Sequence, residues 1–323
     1  MIANSGKYRK KNGQRGYVMM NNFIFENKTK VYFGKGGVKE YLGGLLANFG
    51  ETVMLAYGGG SIKRNGVYDE IMGILNAAGK RIVEFSGIMS NPTYATVQEG
   101  AKLARENHVD LILAVGGGSV SDCCKVISGA FDTLSHAMET YFGKPDENNL
   151  SDDINEAVMR SVIRNIRILL TDPENYDARS ELAQASSMAE NGVLKIGKVT
   201  DFQAHQIEHQ LGAYTNCNHG ASLAVIHPVL YRHIYKSGTA RFTRWAQNVW
   251  GIAPKGSDEE TAAAGIDALA AFIKEIGLPA SFAELGIPAD TDFRAVADST
   301  NITAGCCKKL THDEIYEILQ ECL

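Results

Sequence analysis

The sequence predicts an α/β N-terminal domain built on a parallel sheet that ends after its third strand, followed by an all-α C-terminal domain. Three observations carry that expectation. Short apolar runs alternate with amphipathic stretches of about 10–15 residues, the pattern of βαβ units. Glycine clusters close two of those runs, and beyond about Gly129 the strand signals stop.

Taken in order, Thr52 to Tyr57 (TVMLAY) reads as a strand that runs into Gly58-Gly59-Gly60-Ser61. Arg64 to Ala78 follows as a helix, with Val67, Ile71, Ile74 and Leu75 on its apolar face and Gly79 at its end. Arg81 to Phe85 is the second strand. Thr93 to Asn107, after Pro92, is the next helix on Val97, Ala101 and Ala104. Leu111 to Val115 (LILAV) is apolar throughout, as a strand buried on both faces should be, and it enters Gly116-Gly117-Gly118-Ser119. The remainder reads as helices broken at Pro145, Pro173, Pro254, Pro279 and Pro288. The clearest runs from Asp152 to Leu170, with Ile154, Val158, Val162, Ile166 and Leu169 on one stripe. The expected division is a leader over 1–19, an α/β domain over 20–129 and a helical domain over 130–323. The leader, with Lys7, Arg9, Lys10, Lys11 and Arg15 among Gly, Ser and Asn, has almost nothing to bury and reads as disordered.

Composition narrows the partners. The 323 residues are 45% hydrophobic and 21% charged, with a formal charge of −5, so there is no basic footprint for nucleic acid or anionic membrane. No apolar run approaches the roughly 18–20 residues of a membrane span. The six cysteines include the adjacent pairs Cys123-Cys124 and Cys306-Cys307, poorly placed for local bridges, which fits a reducing cytoplasm.

The glycine turns point to a nucleotide. Bare backbone N–H groups at a strand-to-helix turn let a pyrophosphate approach closely, and two such turns in successive βα units strengthen that reading over ordinary capping by Ser61 and Ser119. Asp122, three residues after Ser119, suits a capping box. If the nucleotide is nicotinamide, the first turn offers no carboxylate to a ribose 2′-hydroxyl, while Lys63 and Arg64 lie nearby, a lean towards NADP(H) over NAD(H).

Asp132-x-x-x-His136, His205-x-x-x-His209 and His219 form a second signal. Spacing of four places both members of a pair on one helix face, and imidazole with carboxylate suits Fe, Zn or a similar ion. Spacing leaves open which of His205 and His209 binds. A rival pattern overlaps it: His205-Gln206-Ile207-Glu208-His209 is H-x-x-E-H, an inverted zinc-peptidase order, with Glu208 as base and Glu275 or Glu284 as third ligand.

The stretches NNFIFENKTKVYFGKG, YGGGSIKRNGVYD, AVGGGSVSDCCK, GAFDTLSHAMETYF and HQIEHQLGAY followed by NHG resemble the iron-containing (group III) alcohol dehydrogenases, nearest the butanol dehydrogenase branch. The resemblance runs from about Met20 to the C-terminus. It implies a dinucleotide-binding domain, a helical domain and a divalent metal in the cleft between them. The family's metal ligands match Asp132, His136, His205 and His219, with Fe2+ the first expectation and Zn2+ the second. Its cofactor residues match Gly58, Gly59, Gly60, Ser61, Gly116, Gly117, Gly118, Ser119 and Asp122. His209 matches the family's substrate-side histidine, which would exchange the proton while the metal polarises the aldehyde oxygen and the nicotinamide delivers hydride. The expected partners are a small aldehyde or alcohol and a second copy in a homodimer.

One departure stands out. In the family, several dozen residues separate the helix matching Asp122 to Ser128 from the segment matching GAFDTLSH, and they complete the cofactor domain and its grip on the nucleotide. Here Ile127-Ser128 runs straight into Gly129-Ala130-Phe131-Asp132. The expectation is a truncated sheet, metal affinity better kept than cofactor affinity, and weak turnover. A catalytically weak metal-binding remnant is the alternative.

Overall fold

The computed structural model describes residues 23–88, 94–116, 123–144, 148–303 and 307–323, without the side chains of 94 and 123–126. The expected leader, Gly117, Gly118, Ser119 and Asp122 lie outside the described residues. Two compact units emerge, residues 27–126 and, with the segment before Asn27, residues 127–323.

The first unit is a parallel sheet in the order β2-β1-β3, from β1 (Thr52–Tyr57), β2 (Arg81–Phe85) and β3 (Leu111–Val115). Helix α1 (Gly37–Leu46) precedes β1. The stretch expected as one helix from Arg64 is two pieces, α2 (Ser61–Arg64) and α3 (Val67–Ala77). Gly66, with φ of 80°, supplies the left-handed break between them. Helix α4 (Tyr94–Glu106) joins β2 to β3 and packs Gly100 so closely on Phe85 that a Cβ there would stand 2.9 Å from the ring. Because β2 lies on one side of β1 and β3 on the other, right-handed crossovers put α3 and α4 on opposite faces. β1 is accordingly buried along its whole length, and Val53, Leu55 and Tyr57 pack with Leu46, Ile62, Ile71 and Leu75.

β3 corrects an expectation. It is an edge strand among the described residues, alternating between half-buried and exposed positions, with Ile112 59% exposed. Its all-apolar sequence asks for cover on both faces. Three strands do not supply it.

The second unit is helical: α5 (Cys123–Tyr141), α6 (Leu150–Thr171), α7 (Tyr176–Glu190), α8 (Gln203–Thr215), α9 (His219–Ile234), α10 (Thr239–Asn248), α11 (Asp258–Glu275), α12 (Phe293–Ser299) and α13 (His312–Glu321). Helix α6 extends the predicted stripe by a capping box, in which Asn149 accepts from the Asp152 amide and Asp152 from the Asn149 amide. Phe142 stacks on Phe242 at 4.1 Å and meets Tyr231 and Trp245 edge-on, an aromatic centre buried from water. Beside it the fully buried Asp152 carboxylate is shared by the Lys198 ammonium and Arg241, the latter at 2.9 Å. That network ties α6, α10 and the segment before α8 together.

Two glycines bring the site together. A Cβ at Gly220 would fall 2.1 Å from the Ser128 carbonyl oxygen, so only glycine lets the first turn of α9 abut α5. A Cβ at Gly143 would fall 2.5 Å from the Val199 carbonyl, where Lys144 and Val199 exchange backbone hydrogen bonds.

Candidate metal centre

Helix α5 presents Asp132, His136 and Glu139 at i, i+4 and i+7, one stripe of its surface. Helix α8 brings His205, and α9 begins with His219, its first turn capped by the Asn218 side chain, which accepts from the Ala221 amide. The Asp132 Oδ1 atom lies 3.2 Å from His205 Nε2, 3.4 Å from His219 Nε2 and 3.6 Å from His136 Nε2. Donors on arms of about 2.0–2.2 Å around one cation stand apart by such distances, and the donor atoms of Asp132, His205 and His219 lie within 4.8 Å of one another, a set that fits a divalent metal, while His136 reaches Asp132 without joining that group.

The outer contacts decide which ring nitrogen faces the centre. His205 Nδ1 and His219 Nδ1 are held by the Glu139 and Glu208 carboxylates, leaving each Nε2 towards Asp132. Glu139 is 2% exposed and also accepts from the Ala204 amide at 2.6 Å. It thereby caps α8, whose own N-cap residue, Phe202, offers no side-chain acceptor. Phe202 sits at φ of 55°, a left-handed conformation costly for an aromatic residue, with its ring 5.2 Å from those of His136 and His205. Glu208 completes its second oxygen with the Ser222 hydroxyl at 2.9 Å.

Electrostatics follow from this packing. Burial pulls Asp132 towards the neutral form, but hydrogen bonds from His205 and His219 outweigh it and hold the carboxyl well below its usual range. Burial likewise works against charge on His205 and His219, and the carboxylates on both sides of each overcome it, raising them to about 9 and about 10. His136 goes the other way, to about 4, through burial and the neighbouring His205 charge. His209 lies one turn beyond His205, at the surface, its ring stacked on His219 at 5.6 Å. It groups with Glu208 and His219 and not with Asp132.

This geometry removes the peptidase reading. Glu208 is 2% exposed and committed to His219 and Ser222, which leaves no free general base. Glu275 is held by Arg167 at 2.7 and 2.8 Å, and Glu284 accepts from the Ala280 amide, so neither offers a third ligand. Glu139 was legible as the i+7 partner of Asp132 but was not singled out. Glu190, the last residue of α7, has its Oε1 3.0 Å from His136 Nε2, a contact between two helices that no sequence spacing reports.

Of the expected cofactor residues, Gly58 to Gly60 follow β1 and Gly116 follows β3, as the strand-turn reading asks. Gly60, at φ of 93°, opens α2, a single turn. Lys63 is not free there: its ammonium lies 3.8 Å from Glu84 and over the Tyr68 ring at 4.5 Å, while Tyr57 and Tyr68 donate to the same carboxylate.

The model of the Fe-containing alcohol dehydrogenase family, C-terminal, matches residues 126–323, and that of the iron-containing alcohol dehydrogenase matches residues 28–157. The chain belongs to the iron-containing alcohol dehydrogenase family. Among its relatives is the NADH-dependent butanol dehydrogenase A of Clostridium acetobutylicum, 29% identical over 389 residues and covering 94% of this chain and 100% of the relative. The NADPH-dependent aldehyde reductase YqhD of Escherichia coli is 27% identical, over 83% of this chain and 90% of that one. The crystal structure of NADH-dependent butanol dehydrogenase A from Thermotoga maritima superposes with a TM-score of 0.88 at 26% identity, covering 95% of this chain and all of the other. The fold class read from the sequence is therefore that of the family.

Proposed function

We propose that this chain, an oxidoreductase of alcohols and aldehydes, uses a divalent cation at Asp132, His136, His205 and His219 to move a hydride between NAD(P)H and a small aldehyde or primary alcohol. The observation that carries the reading is the convergence of three imidazole Nε2 atoms on one Asp132 oxygen within 3.2–3.6 Å. The bound cation supplies Lewis acidity towards the carbonyl oxygen, and the nicotinamide supplies the hydride. Asp132 offsets part of the cation's charge. Glu139 and Glu208 fix the tautomers of His205 and His219. His209, at the surface and stacked on His219, gives a proton to the nascent alkoxide in reduction and takes it back in oxidation.

The nucleotide side of the proposal rests on Gly58 to Ser61 and Gly116 to Ser119, with Asp122. Alignments to the relatives extend over 385 to 392 residues, more than the 323 of this chain, so those proteins carry residues without a counterpart here. The edge of β3, uncovered among the described residues, supports placing that shortfall after the nucleotide unit's third strand, with the join at Ser128 and Gly129 now inside α5. Relatives named for NADH and for NADPH occur side by side. Lys63, engaged by Glu84, leaves the NADP(H) preference to Arg64.

Metal analysis combined with NADPH and NADH oxidation on butyraldehyde tests the proposal. Metal with turnover supports it; metal without turnover supports the remnant. The His209→Ala variant is expected to keep its metal and lose about 10²-fold or more in turnover, and an emptied site in that variant would overturn the ligand assignment.

A further inference from the structure

The carboxylate that the first glycine turn lacks is supplied by the neighbouring strand. Parallel pairing sets Glu84, the last residue but one of β2, opposite Leu55, so it stands at the end of the sheet where β1 runs into Gly58. The chain leaving β2 stays beside that turn: the Gly87 and Ile88 amides donate to the Gly58 and Tyr57 carbonyls, each at 3.3 Å. Tyr57 donates to Glu84 Oε2 at 2.6 Å and Tyr68 to Oε1 at 2.7 Å, which leaves each oxygen a lone pair for a further donor. These hydrogen bonds hold the carboxyl below its ordinary range, and Glu84 is charged at neutral pH. The Lys63 ammonium, 3.8 Å from Glu84 Oε2 and 4.5 Å from the centre of the Tyr68 ring, is folded onto the same group.

The turn itself has room for a nucleotide. A Cβ at Gly59 or Gly60 would meet nothing within 4 Å among the described residues, so the backbone there is open to a ligand. In a strand-turn-helix-strand nucleotide unit, an acid roughly 20 residues beyond the glycine turn accepts from the ribose 2′-hydroxyl of NAD, whereas a nearby cation receives the 2′-phosphate of NADP. Glu84 has the acid's place and Lys63 the cation's. We propose that Glu84 sets the choice of nucleotide at the first glycine turn: it accepts from a ribose 2′-hydroxyl and withholds Lys63 from a 2′-phosphate. This rests on the nucleotide reading above and sharpens it, since Arg64 is then the cation of α2 left to a 2′-phosphate. The Glu84 side chain is 41% exposed and glutamine keeps an acceptor for the tyrosine hydroxyls, so its replacement does not threaten folding.

The half-nucleotides 2′,5′-ADP and 5′-AMP, titrated into the full chain and followed by NMR, test this without turnover and without the nicotinamide end. The chains compared are wild type, Glu84→Gln, Glu84→Gln combined with Lys63→Ala, and Glu51→Gln, which removes the same charge from the opposite end of β1. Glu84→Gln is expected to shift the ratio of the two affinities ~10-fold towards 2′,5′-ADP, the scale of one charge pair near a protein surface. Adding Lys63→Ala is expected to remove most of that gain, and Glu51→Gln to keep the wild-type ratio. An unchanged ratio in Glu84→Gln, an equal gain in Glu51→Gln, or a gain that persists in full without Lys63 would overturn the role of Glu84 and leave the nucleotide site standing. Failure of wild type to bind either half-nucleotide would overturn the nucleotide reading as well.

Discussion

The helical unit and the α/β unit answer the same problem, burying apolar surface, with different completeness. In the helical unit the site is backed by packed elements: an aromatic centre around Phe142, a buried Asp152 network, and two carboxylates behind His205 and His219. Among the described residues of the α/β unit β1 alone is enclosed, and β3 is an edge strand with Ile112 59% exposed. On the proposed reading, a site whose donors come from three packed helices is expected to tolerate a shorter neighbouring segment, whereas a nucleotide grip assembled from strand ends depends on the strands that complete the sheet. The predictions below set one unit against the other.

The largest effect belongs to the helical unit. Asp152→Ala strands the Lys198 and Arg241 charges in the interior, and breaking a buried pair in this way costs about 3–5 kcal/mol. Thermal unfolding followed by circular dichroism should register it as a large drop in Tm together with loss of bound metal; a near-wild-type Tm would mean that the network is not what holds α6 to α10.

An intermediate effect is the pH response of the metal-free chain. His205 and His219 have folded-state values of about 9 and about 10, raised above the unfolded 6.5. Their contribution to stability is full below pH of about 6.5 and disappears as pH rises through those values, while that of Asp132, whose value is lowered, is present above its unfolded value and lost in acid. The metal-free Tm is expected to fall from pH 6.5 to 10. Cation affinity is expected to rise over the same window, because metal and protons compete for the same nitrogens. A metal-free Tm that climbs across that range contradicts the assignment.

The smallest effect tests the weaker unit. Ile112→Lys on the open edge of β3 should change stability by no more than about 0.5 kcal/mol and reduce self-association measured by light scattering. A cost of several kcal/mol would mean that the edge is covered.

Much of this was legible in the sequence because it is local. The strands at Thr52, Arg81 and Leu111 follow from apolar runs bounded by glycine, and the pairing of Asp132 with His136 follows from helical spacing. The single helix expected from Arg64 to Ala78 is two pieces because Gly66 adopts a left-handed φ, which periodicity does not report. β3 was misjudged because an apolar run reports the burial a strand needs, not the burial it finds. Glu139 shares the stripe of Asp132 and was within reach of the same reasoning. Glu190 was not, since no periodicity links the end of α7 to the middle of α5, and Glu208 was visible only as the base of the rival H-x-x-E-H pattern.

The proposed contrast between a metal centre that is kept and a nucleotide unit that is shortened is tested most directly by titrating NADPH, followed by its fluorescence, into the chain loaded with Fe2+ or Co2+ and verified for metal content. The account predicts near-stoichiometric metal and nucleotide binding far weaker than the ordinary micromolar range. Micromolar NADPH binding by the loaded chain, or a chain that takes up no metal, would contradict it.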